Sequence, residues 1–288
     1  MATGIFYHPS FSRRSYLTRG SRLEDFPRAI EYLLNRPAFR LYESPALEEK
    51  WILKVHTPEL LSGVKRDRLC STAWHSAGGV VAAAEKIVQG EIRNAFAFIG
   101  AGGHHSGRDF FGGYCCFNDV VIAICKLREV LGVRRFAILD TDAHHGNGTR
   151  ALTEQDADVL HVCLCFQDYE SSDGTKTDVR APGAHHGASP DADINTLYAE
   201  AAAGAFVPRV RSFRPDLIFW YFGFDTHQGD YGDLGLTGEA YLDIGRTVKS
   251  LADEVCGGRL EVVLGGGSLT HLARKLIPPI IELLGEDG

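Results

Sequence analysis

The chain has 288 residues, of which 44% are hydrophobic and 23% are charged, and its formal net charge is −7. This balance is typical of a soluble globular protein, and we expect a single α/β domain over residues 1–288. The negative charge argues against a general surface for nucleic acid or anionic membranes. No apolar run approaches the ~20 residues that span a bilayer, and residues 1–14 lack the apolar core of a secretory signal.

The seven cysteines are odd in number, lie mostly within apolar segments and form no Cys-x-x-Cys pair. This usage is typical of reduced thiols in a cytoplasm rather than of a disulfide framework. We therefore expect a cytoplasmic protein.

The first third of the chain contains short segments with mixed patterns. Strands are predicted at residues 4–7 and, weakly, at 51–55, and a helix is predicted at 23–34. Residues 11–20 and 37–45 are polar or proline-bounded and are predicted as loops. Thr57 followed by Pro58 is a helix start, and an alanine- and valine-rich helix is predicted at 79–89.

The rest of the chain alternates between strands and helices. Apolar runs predict buried strands at 95–99, 136–139, 158–165, 216–224 and 260–264. The predicted helices lie at 118–131, 193–211, 237–255 and 270–284; Pro278 and Pro279 should kink or end the last one. Residues 167–189 read as a surface loop. Five strands alternating with helices predict a parallel sheet with helices on both faces.

Acidic and histidine side chains follow the strand at 136–139. Alternation along an extended backbone would place Asp140, Asp142 and His144 on one side. Two carboxylates and an imidazole suit a divalent metal, and a catalytic zinc takes three such ligands and keeps one position open for water. The alternative is a polar strand-to-helix loop with an aspartate cap. His145 and the Gly-Asn-Gly turn that follows favour the metal site.

A second histidine pair, His104 and His105, stands in a glycine-rich loop directly after the strand at 95–99. Glycines let the backbone turn sharply and approach a ligand. Imidazole titrates near neutrality, so this pair could supply a general base beside a metal-bound water. The alternative is a hydrated surface loop. We interpret His56 and His75 as structural, and the pair His185-His186, which no strand precedes, as part of a surface loop.

Ligands of parallel sheets bind outside the carboxyl ends of the strands. The histidine pair, the Asp140 to His145 stretch, residues 225–230 and residues 265–267 all follow predicted strands. They should therefore converge on one edge of the sheet, where Asp225 would be the third metal ligand.

Five motifs together resemble the zinc-dependent histone deacetylase family. In order and spacing the match runs from about residue 4 to 284, and it is most similar to the class II branch and its bacterial relatives, including acetylpolyamine amidohydrolases. The resemblance implies the arginase-deacetylase fold. The motifs are Gly103-His-His-Ser106, Gly113-Tyr-Cys-Cys-Phe-Asn118, Asp140-Thr-Asp-Ala-His-His-Gly-Asn-Gly-Thr149, Gly223-Phe-Asp-Thr-His-Gln-Gly-Asp230 and Leu264-Gly-Gly-Gly267.

The resemblance implies a role for each matching residue around the metal. Zinc would be bound by Asp142, His144 and Asp225, and it would polarise an amide carbonyl and activate water. His105, paired with Asn147, would act as general base and then as acid for the leaving amine. His104, paired with Asp140, would be its electrostatic partner.

The resemblance also implies a substrate channel and a second cation. Tyr114 stands in the place of a channel aromatic, the Gly113 carbonyl could accept a hydrogen bond from the substrate amide, and Gly267 belongs to the glycine run beside the metal. Potassium would sit on backbone carbonyls of four residues, with Cys163 where the family has a serine hydroxyl. The four are Asp140, Asp142, His144 and Leu164.

One departure from the family concerns the oxyanion. The glycine run is normally followed by a tyrosine, or in one branch a histidine, that hydrogen-bonds the oxyanion, whereas this chain has Leu269. Leucine has no donor, so we expect low activity on ordinary acetyl-lysine unless a loop residue such as Tyr114 or Tyr221 supplies one. Tyr221 and Phe222 also stand where small residues are usual, which predicts a reshaped pocket floor.

These residues predict a zinc-dependent amidohydrolase that removes an acyl group from acyl-lysine, a polyamine or another small acylated amine. The alternative is a catalytically weak or silent zinc-binding protein that binds an acylated ligand or a partner. Arginase-like chemistry is disfavoured because these loops lack a second full set of metal ligands. The oligomeric state stays open.

Overall fold

The computed structural model describes residues 1–13, 21–184 and 193–286. Within these ranges nine strands form one sheet. They are β1 Thr3–Tyr7, β2 Phe39–Glu43, β3 Asn94–Ala97, β4 Phe136–Asp140, β5 Val159–Cys165, β6 Tyr169–Glu170, β7 Lys176–Arg180, β8 Leu217–Phe222 and β9 Leu260–Leu264. Their spatial order is β2-β1-β3-β9-β8-β4-β5-β7-β6. All neighbouring pairs are parallel except β6 and β7.

Helices surround this sheet, as predicted. They are α1 Ser10–Arg13, α2 Glu31–Leu34, α3 Glu49–Val55, α4 Pro58–Arg66, α5 Ala73–Val88, α6 Asp119–Leu131, α7 Asn147–Thr153, α8 Ile194–Phe213, α9 Gly238–Cys256 and α10 Thr270–Leu284, with short 3-10 turns at Arg28–Ile30 and Arg68–Thr72. One group, α5 and α6, packs together beside β1, β3 and β9, and another, α8 to α10, packs beside β5, β8 and β9.

The five central strands are the five apolar runs of the sequence. Every residue of β3, β4, β5, β8 and β9 is buried. A parallel strand covered by helices on both faces needs apolar side chains in both directions, which explains the continuous apolar runs. The helix starts predicted at Thr57 and at residue 118 are also confirmed, and each has a capping side chain. The Asn118 side chain accepts from Val121 N at the start of α6, and the Thr57 side chain accepts from Leu60 N at the start of α4.

The strand order brings the loops of chemical interest together. Strands β3, β9, β8 and β4 are consecutive neighbours and all parallel. Their carboxyl ends therefore lie along one edge of the sheet. The loops at this edge carry the histidine pair, residues 265–267, Asp225, and the Asp142 and His144 stretch, which confirms the predicted convergence.

Two predictions in the first third of the chain are wrong. Residues 51–55 belong to helix α3 rather than to a strand, and the buried residues Trp51, Ile52 and Val55 have helical spacing. Residues 37–45, predicted as a loop, contain the edge strand β2. Only Phe39 of β2 is fully buried, so this strand has no apolar run that would reveal it.

Three other predicted segments differ in the structure. The helix predicted at 23–34 is reduced to a 3-10 turn and the single turn α2, because Pro27 has no N–H to continue a helix. The loop predicted at 167–189 contains β6 and β7, whose polar sequence gives no strand signal. Helix α10 spans Thr270–Leu284 as predicted and does not end at Pro278 or Pro279. Residues 11–13 of the predicted loop at 11–20 belong to helix α1. Residues 14–20 of that loop and the pair His185-His186 lie outside the described residues.

The prediction of reduced thiols does not hold for two of the seven cysteines. Cys70 and Cys116 form a disulfide with their Cα atoms 6.0 Å apart, a normal separation for a bridge. The other five cysteines are free. Cys70 lies in a polar turn and Cys116 beside an aromatic run, so their proximity depends on tertiary structure. Among the described helices none combines the length and apolar character needed to cross a membrane.

Candidate metal centre and active site

Asp142, His144 and Asp225 form a compact set of metal-binding atoms. Each offers one ligand atom, and these atoms all lie within 4.8 Å of one another. The His144 Nδ1 lies 3.1 Å from Asp142 Oδ1 and 3.1 Å from Asp225 Oδ2. Two carboxylates and one imidazole are hard-to-borderline donors of the kind that catalytic zinc sites use, so the residues fit this metal.

The loop backbones hold these ligands in place. The Gly266 N–H donates to Asp142 Oδ2 at 2.6 Å, and the Ala143 N–H donates to Asp225 Oδ1 at 3.2 Å. Each carboxylate is thus oriented by the backbone of a neighbouring loop. Such outer contacts fix the direction of a metal ligand.

The buried negative charges of this cluster favour a bound cation. Asp142 and Asp225 are 3% and 0% exposed, respectively. Burial and the charge of Asp142 raise the pKa of Asp225 to about 7. The hydrogen bonds to Asp142 and Asp225 raise the pKa of His144 to about 10. Buried carboxylates this close need a compensating positive charge, which a bound divalent metal supplies.

The histidine pair has two different partners. The His104 Nδ1 donates to Asp140 Oδ2 at 2.7 Å, whereas the His105 Nδ1 donates to the amide oxygen Asn147 Oδ1 at 2.6 Å. Burial works against ionisation of His104, but the charges of Asp140 and Asp142 outweigh it and raise its pKa to about 9. Burial and the neighbouring His104 lower the pKa of His105. The arrangement favours a charged His104 beside a neutral His105.

A cavity of about 170 Å³ joins the metal-binding cluster to the histidine pair. The Tyr221 ring stacks on His104, with centroids 4.7 Å apart, as part of the cavity wall. The buried Arg22 also lines the cavity and donates to the carbonyls of Gly265 at 2.6 Å and Gly267 at 2.9 Å. Arg22 thereby holds the glycine run against the metal-binding loops.

The predicted substrate residues are divided between this cavity and an outer one. Gly113 and Tyr114 line the inner cavity. A Cβ at Gly113 would overlap the His105 ring, and its φ is +54°, so the position requires glycine. Leu269 lines a neighbouring cavity of about 860 Å³, which Tyr114 and Tyr231 also line. Gly267 lines neither cavity, but its N–H donates to the Tyr231 hydroxyl oxygen at 3.1 Å.

The residues of the predicted potassium site lie on adjacent strands. Asp140 of β4 pairs with Cys163 of β5, and Leu164 follows on β5. Asp142 and His144 follow on the β4 loop. The Cys163 thiol accepts a hydrogen bond from Gly146 N at 3.5 Å. A potassium ion at this position stays a prediction.

A second group of candidate ligand atoms comprises Cys163, Cys165 and Asp178. Asp178 already accepts hydrogen bonds from Arg150 and from Gln167. Because both of its carboxylate oxygens already accept hydrogen bonds, Asp178 is poorly available to bind a metal ion.

The motif analysis missed Tyr231 and Arg22 and assigned His56 correctly. Tyr231 follows the recognised Asp225 motif by one residue, so its place after Asp230 was the available signal. Arg22 lies between the predicted loop at 11–20 and the predicted helix at 23–34, where no motif indicates a functional residue. The His56 Nδ1 donates to Gly107 O at 2.7 Å and its Nε2 accepts from Asn118 N, which confirms the structural role.

Comparisons with known proteins agree with this geometry. A family model described as "Histone deacetylase domain" matches residues 19–277. The chain is 32% identical over 224 residues to the chloroplastic histone deacetylase 14 of Arabidopsis thaliana, covering 73% of this chain and 50% of the relative. It is 32% identical over 207 residues to a histone deacetylase-like amidohydrolase of Pseudomonas aeruginosa, covering 67% and 52%. The chain thus spans about half the length of these relatives.

Two further similarities extend over nearly the whole chain. Human polyamine deacetylase HDAC10 is 27% identical over 331 residues, covering 99% of this chain and 48% of the relative. The crystal structure of the HDA15 HD domain superposes with a TM-score of 0.81 at 21% identity, covering 99% of this chain and 90% of that one. This likeness confirms the arginase-deacetylase fold. Because the family model matches most of the sequence, the chain belongs to the histone deacetylase family.

Proposed function

We propose that this protein is a zinc-dependent amidohydrolase that removes an acyl group from an amine, either acyl-lysine or an acylated small amine such as a polyamine. One observation carries the proposal: the three metal-binding side chains and the His105–Asn147 pair line or adjoin the same cavity. The names of the relatives, which include histone deacetylases and a polyamine deacetylase, support both substrate classes.

The bound zinc would polarise the amide carbonyl and lower the pKa of a water towards neutrality. His105 would take the proton from the attacking water. Two observations support this role: its Nδ1 is held by Asn147, and burial favours its neutral form. The same imidazole can then give the proton to the departing amine. His104, charged through Asp140, would stay as a fixed positive neighbour that stabilises negative charge developing in the cavity.

The inner cavity is suited to a slender acyl group. Its wall combines the Tyr221 ring with glycine backbone, and the exposed residues Gly113 and Tyr114 also line it. The Gly113 carbonyl would accept a hydrogen bond from the substrate amide.

We also propose the potassium site, a single domain over residues 1–288 and a cytoplasmic location. The Cys70–Cys116 bridge weighs against the cytoplasmic location.

The alternative is a weak or silent protein that binds zinc and an acylated ligand or partner. Its basis is Leu269, which cannot donate to an oxyanion. The intact His105–Asn147 and His104–Asp140 pairs favour turnover, because binding alone would not need a positioned general base.

A panel assay distinguishes the two. The zinc-loaded protein would be incubated with acyl-lysine peptides, acetylpolyamines and small acyl esters, and release of the acid would be measured. We expect turnover of at least one class, lost in His105→Ala at unchanged zinc content. Full zinc occupancy with ligand binding but no acid release across the panel would favour the silent protein.

A further inference from the structure

The proposed hydrolysis passes through a tetrahedral oxyanion, whose stabilisation is usually the largest catalytic contribution. Leu269 has no hydrogen to donate, and it lines the outer cavity rather than the inner one. If the proposed function is correct, another side chain must donate a hydrogen bond to the oxyanion. The structure places a tyrosine hydroxyl beside the metal-binding carboxylates from a different loop.

Tyr231 lies in the loop after β8, and this loop is fastened to the glycine run that follows β9. The Asp230 carboxylate accepts hydrogen bonds from Ser268 N, Ser268 Oγ and Leu269 N at 2.9–3.2 Å. The Asp230 side chain also accepts from Tyr231 N at 2.8 Å. Asp230 therefore ties Tyr231 to the segment that would normally carry the oxyanion donor.

The Tyr231 hydroxyl lies against the metal-binding cluster. A methyl carbon built on Gly266 would lie 2.7 Å from this hydroxyl oxygen, 2.6 Å from Asp142 Oδ2 and 2.7 Å from Asp225 Oδ2. The three oxygens thus surround one small volume. The Tyr231 ring also lies beside the third metal-binding residue, with its centroid 5.5 Å from that of His144.

The hydroxyl hydrogen is free to donate. Gly267 N donates to the Tyr231 oxygen at 3.1 Å, which uses one lone pair and fixes the oxygen's position. Among the residues that the structure describes, none accepts a hydrogen bond from the Tyr231 hydroxyl. An ordinary phenol has a pKa of about 10, so the Tyr231 hydroxyl carries its proton at neutral pH.

The other two tyrosines of the cavity are less well placed. The Tyr221 hydroxyl lies at Gly103, where an added Cβ would overlap it, close to the Cys115 thiol. Its ring stacks on His104, the residue on the base side of the cavity. Tyr114 is 44% exposed at the mouth. The hydroxyl that lies nearest to a Cβ at Gly266, together with Asp142 and Asp225 oxygens, is that of Tyr231.

We propose that Tyr231 donates a hydrogen bond to the substrate oxyanion, the role that Leu269 cannot perform. No proton is transferred in this step; the phenol stays protonated while the attacking water loses its proton to His105. The donor reaches the site from the loop after β8 instead of from the segment after β9. Tyr231 is thereby a catalytic residue of the proposed amidohydrolase.

The test is Tyr231→Phe, which keeps the ring and removes only the hydroxyl. Zinc content, kcat and KM are measured on the best substrate of the panel. We expect kcat to fall about 10²–10³-fold, as for loss of a single oxyanion donor, with zinc content unchanged and KM little altered. Tyr32→Phe, an exposed tyrosine on α2, is the matched control and should leave all three values as in the wild type.

A binding measurement gives a readout that does not need turnover. In a lysine peptide, a trifluoromethyl ketone replaces the acetamide, and its hydrate resembles the tetrahedral species. Calorimetry should show that Tyr231→Phe weakens this ligand at least tenfold, while affinity for the deacylated peptide is unchanged. The double variant Tyr231→Phe/Leu269→Tyr should recover part of both losses, because a phenol returns from the other loop.

Two results would overturn the inference: equal kcat and equal ketone affinity in Tyr231→Phe and wild type, or the full loss in Tyr221→Phe instead. A wild type that turns over no substrate would refute the proposed function. The ketone affinities of wild type and Tyr231→Phe would still decide the role of the hydroxyl, so the two failures are distinguishable.

Discussion

The His105 Nδ1 lies 2.6 Å from Asn147 Oδ1, while the adjacent His104 Nδ1 lies 2.7 Å from the carboxylate of Asp140. One imidazole thus has a neutral partner and the other a charged one. Pairs of titratable groups whose surroundings push their pKa values apart take different catalytic roles. This asymmetry is the basis for assigning the general base to His105.

The first prediction concerns the two histidines. His105→Ala should reduce turnover about 10²–10⁴-fold, the usual cost of losing a general base, and should keep its zinc. His104→Ala should cost less, because its imidazolium acts through charge alone. Acid release and elemental analysis on both variants check this. A much larger loss in His104→Ala would reverse the two roles.

The second prediction concerns pH. Burial and His104 lower the pKa of His105, so the acidic limb of kcat/KM should lie below the ordinary imidazole value of about 6.5. A base must be neutral to act, so activity falls as pH drops through this pKa. Asn147→Asp adds a negative charge that favours the imidazolium and should move the limb to higher pH. Asn35→Asp, an exposed site, adds the same charge as a control; an unmoved limb in Asn147→Asp would exclude His105 as the titrating base.

The third prediction uses two adjacent glycines. A Cβ at Gly113 would overlap the His105 ring, and the backbone there is left-handed, whereas a Cβ at Gly112 would meet nothing within 4 Å. Gly113→Ala should therefore displace His105 and lower turnover at unchanged zinc content, and Gly112→Ala should not. Equal activity of the two variants would show that the Gly113 position does not constrain the base.

The fourth prediction separates the two explanations for Leu269. If the oxyanion position is empty, Leu269→Tyr should raise acetyl-lysine turnover substantially. If Tyr231 already donates, the same change should give little gain in the wild type and a clear rescue in Tyr231→Phe. Turnover is measured for the wild type, Leu269→Tyr, Tyr231→Phe and the double variant. A large gain from Leu269→Tyr in the wild-type background would favour an empty oxyanion position.

The strands formed by apolar runs could be predicted from the sequence. The strands without an apolar run could not. The run Leu217–Phe222 has no polar residue and was recognised, whereas Lys176–Arg180 is polar and was not. The Lys176 ammonium is buried in β7 and donates to the backbone carbonyls of Asp156 and Val159. These hydrogen bonds form only in the folded chain and help to stabilise the strand. Because the strand has no apolar sequence pattern, it could not be predicted.

The loops after the strands could be identified because their residue types are chemically specific. Aspartate and histidine at strand ends indicate a metal site, and a topological rule brings them together. Tyr231 could not be identified in this way. Its position depends on the hydrogen bonds of Asp230 to Ser268 and Leu269, which join segments distant in sequence. The Cys70–Cys116 bridge depends on tertiary proximity in the same manner.

The most direct test of the zinc amidohydrolase is acid release measured while zinc is returned stepwise to metal-free protein. The rate should rise from background and saturate near one zinc per chain, since three protein ligands define one catalytic site. Asp225→Ala should bind little zinc and stay inactive, whereas the exposed Asp243→Ala should behave as the wild type. A rate independent of added zinc, or full zinc occupancy in Asp225→Ala, would contradict the account.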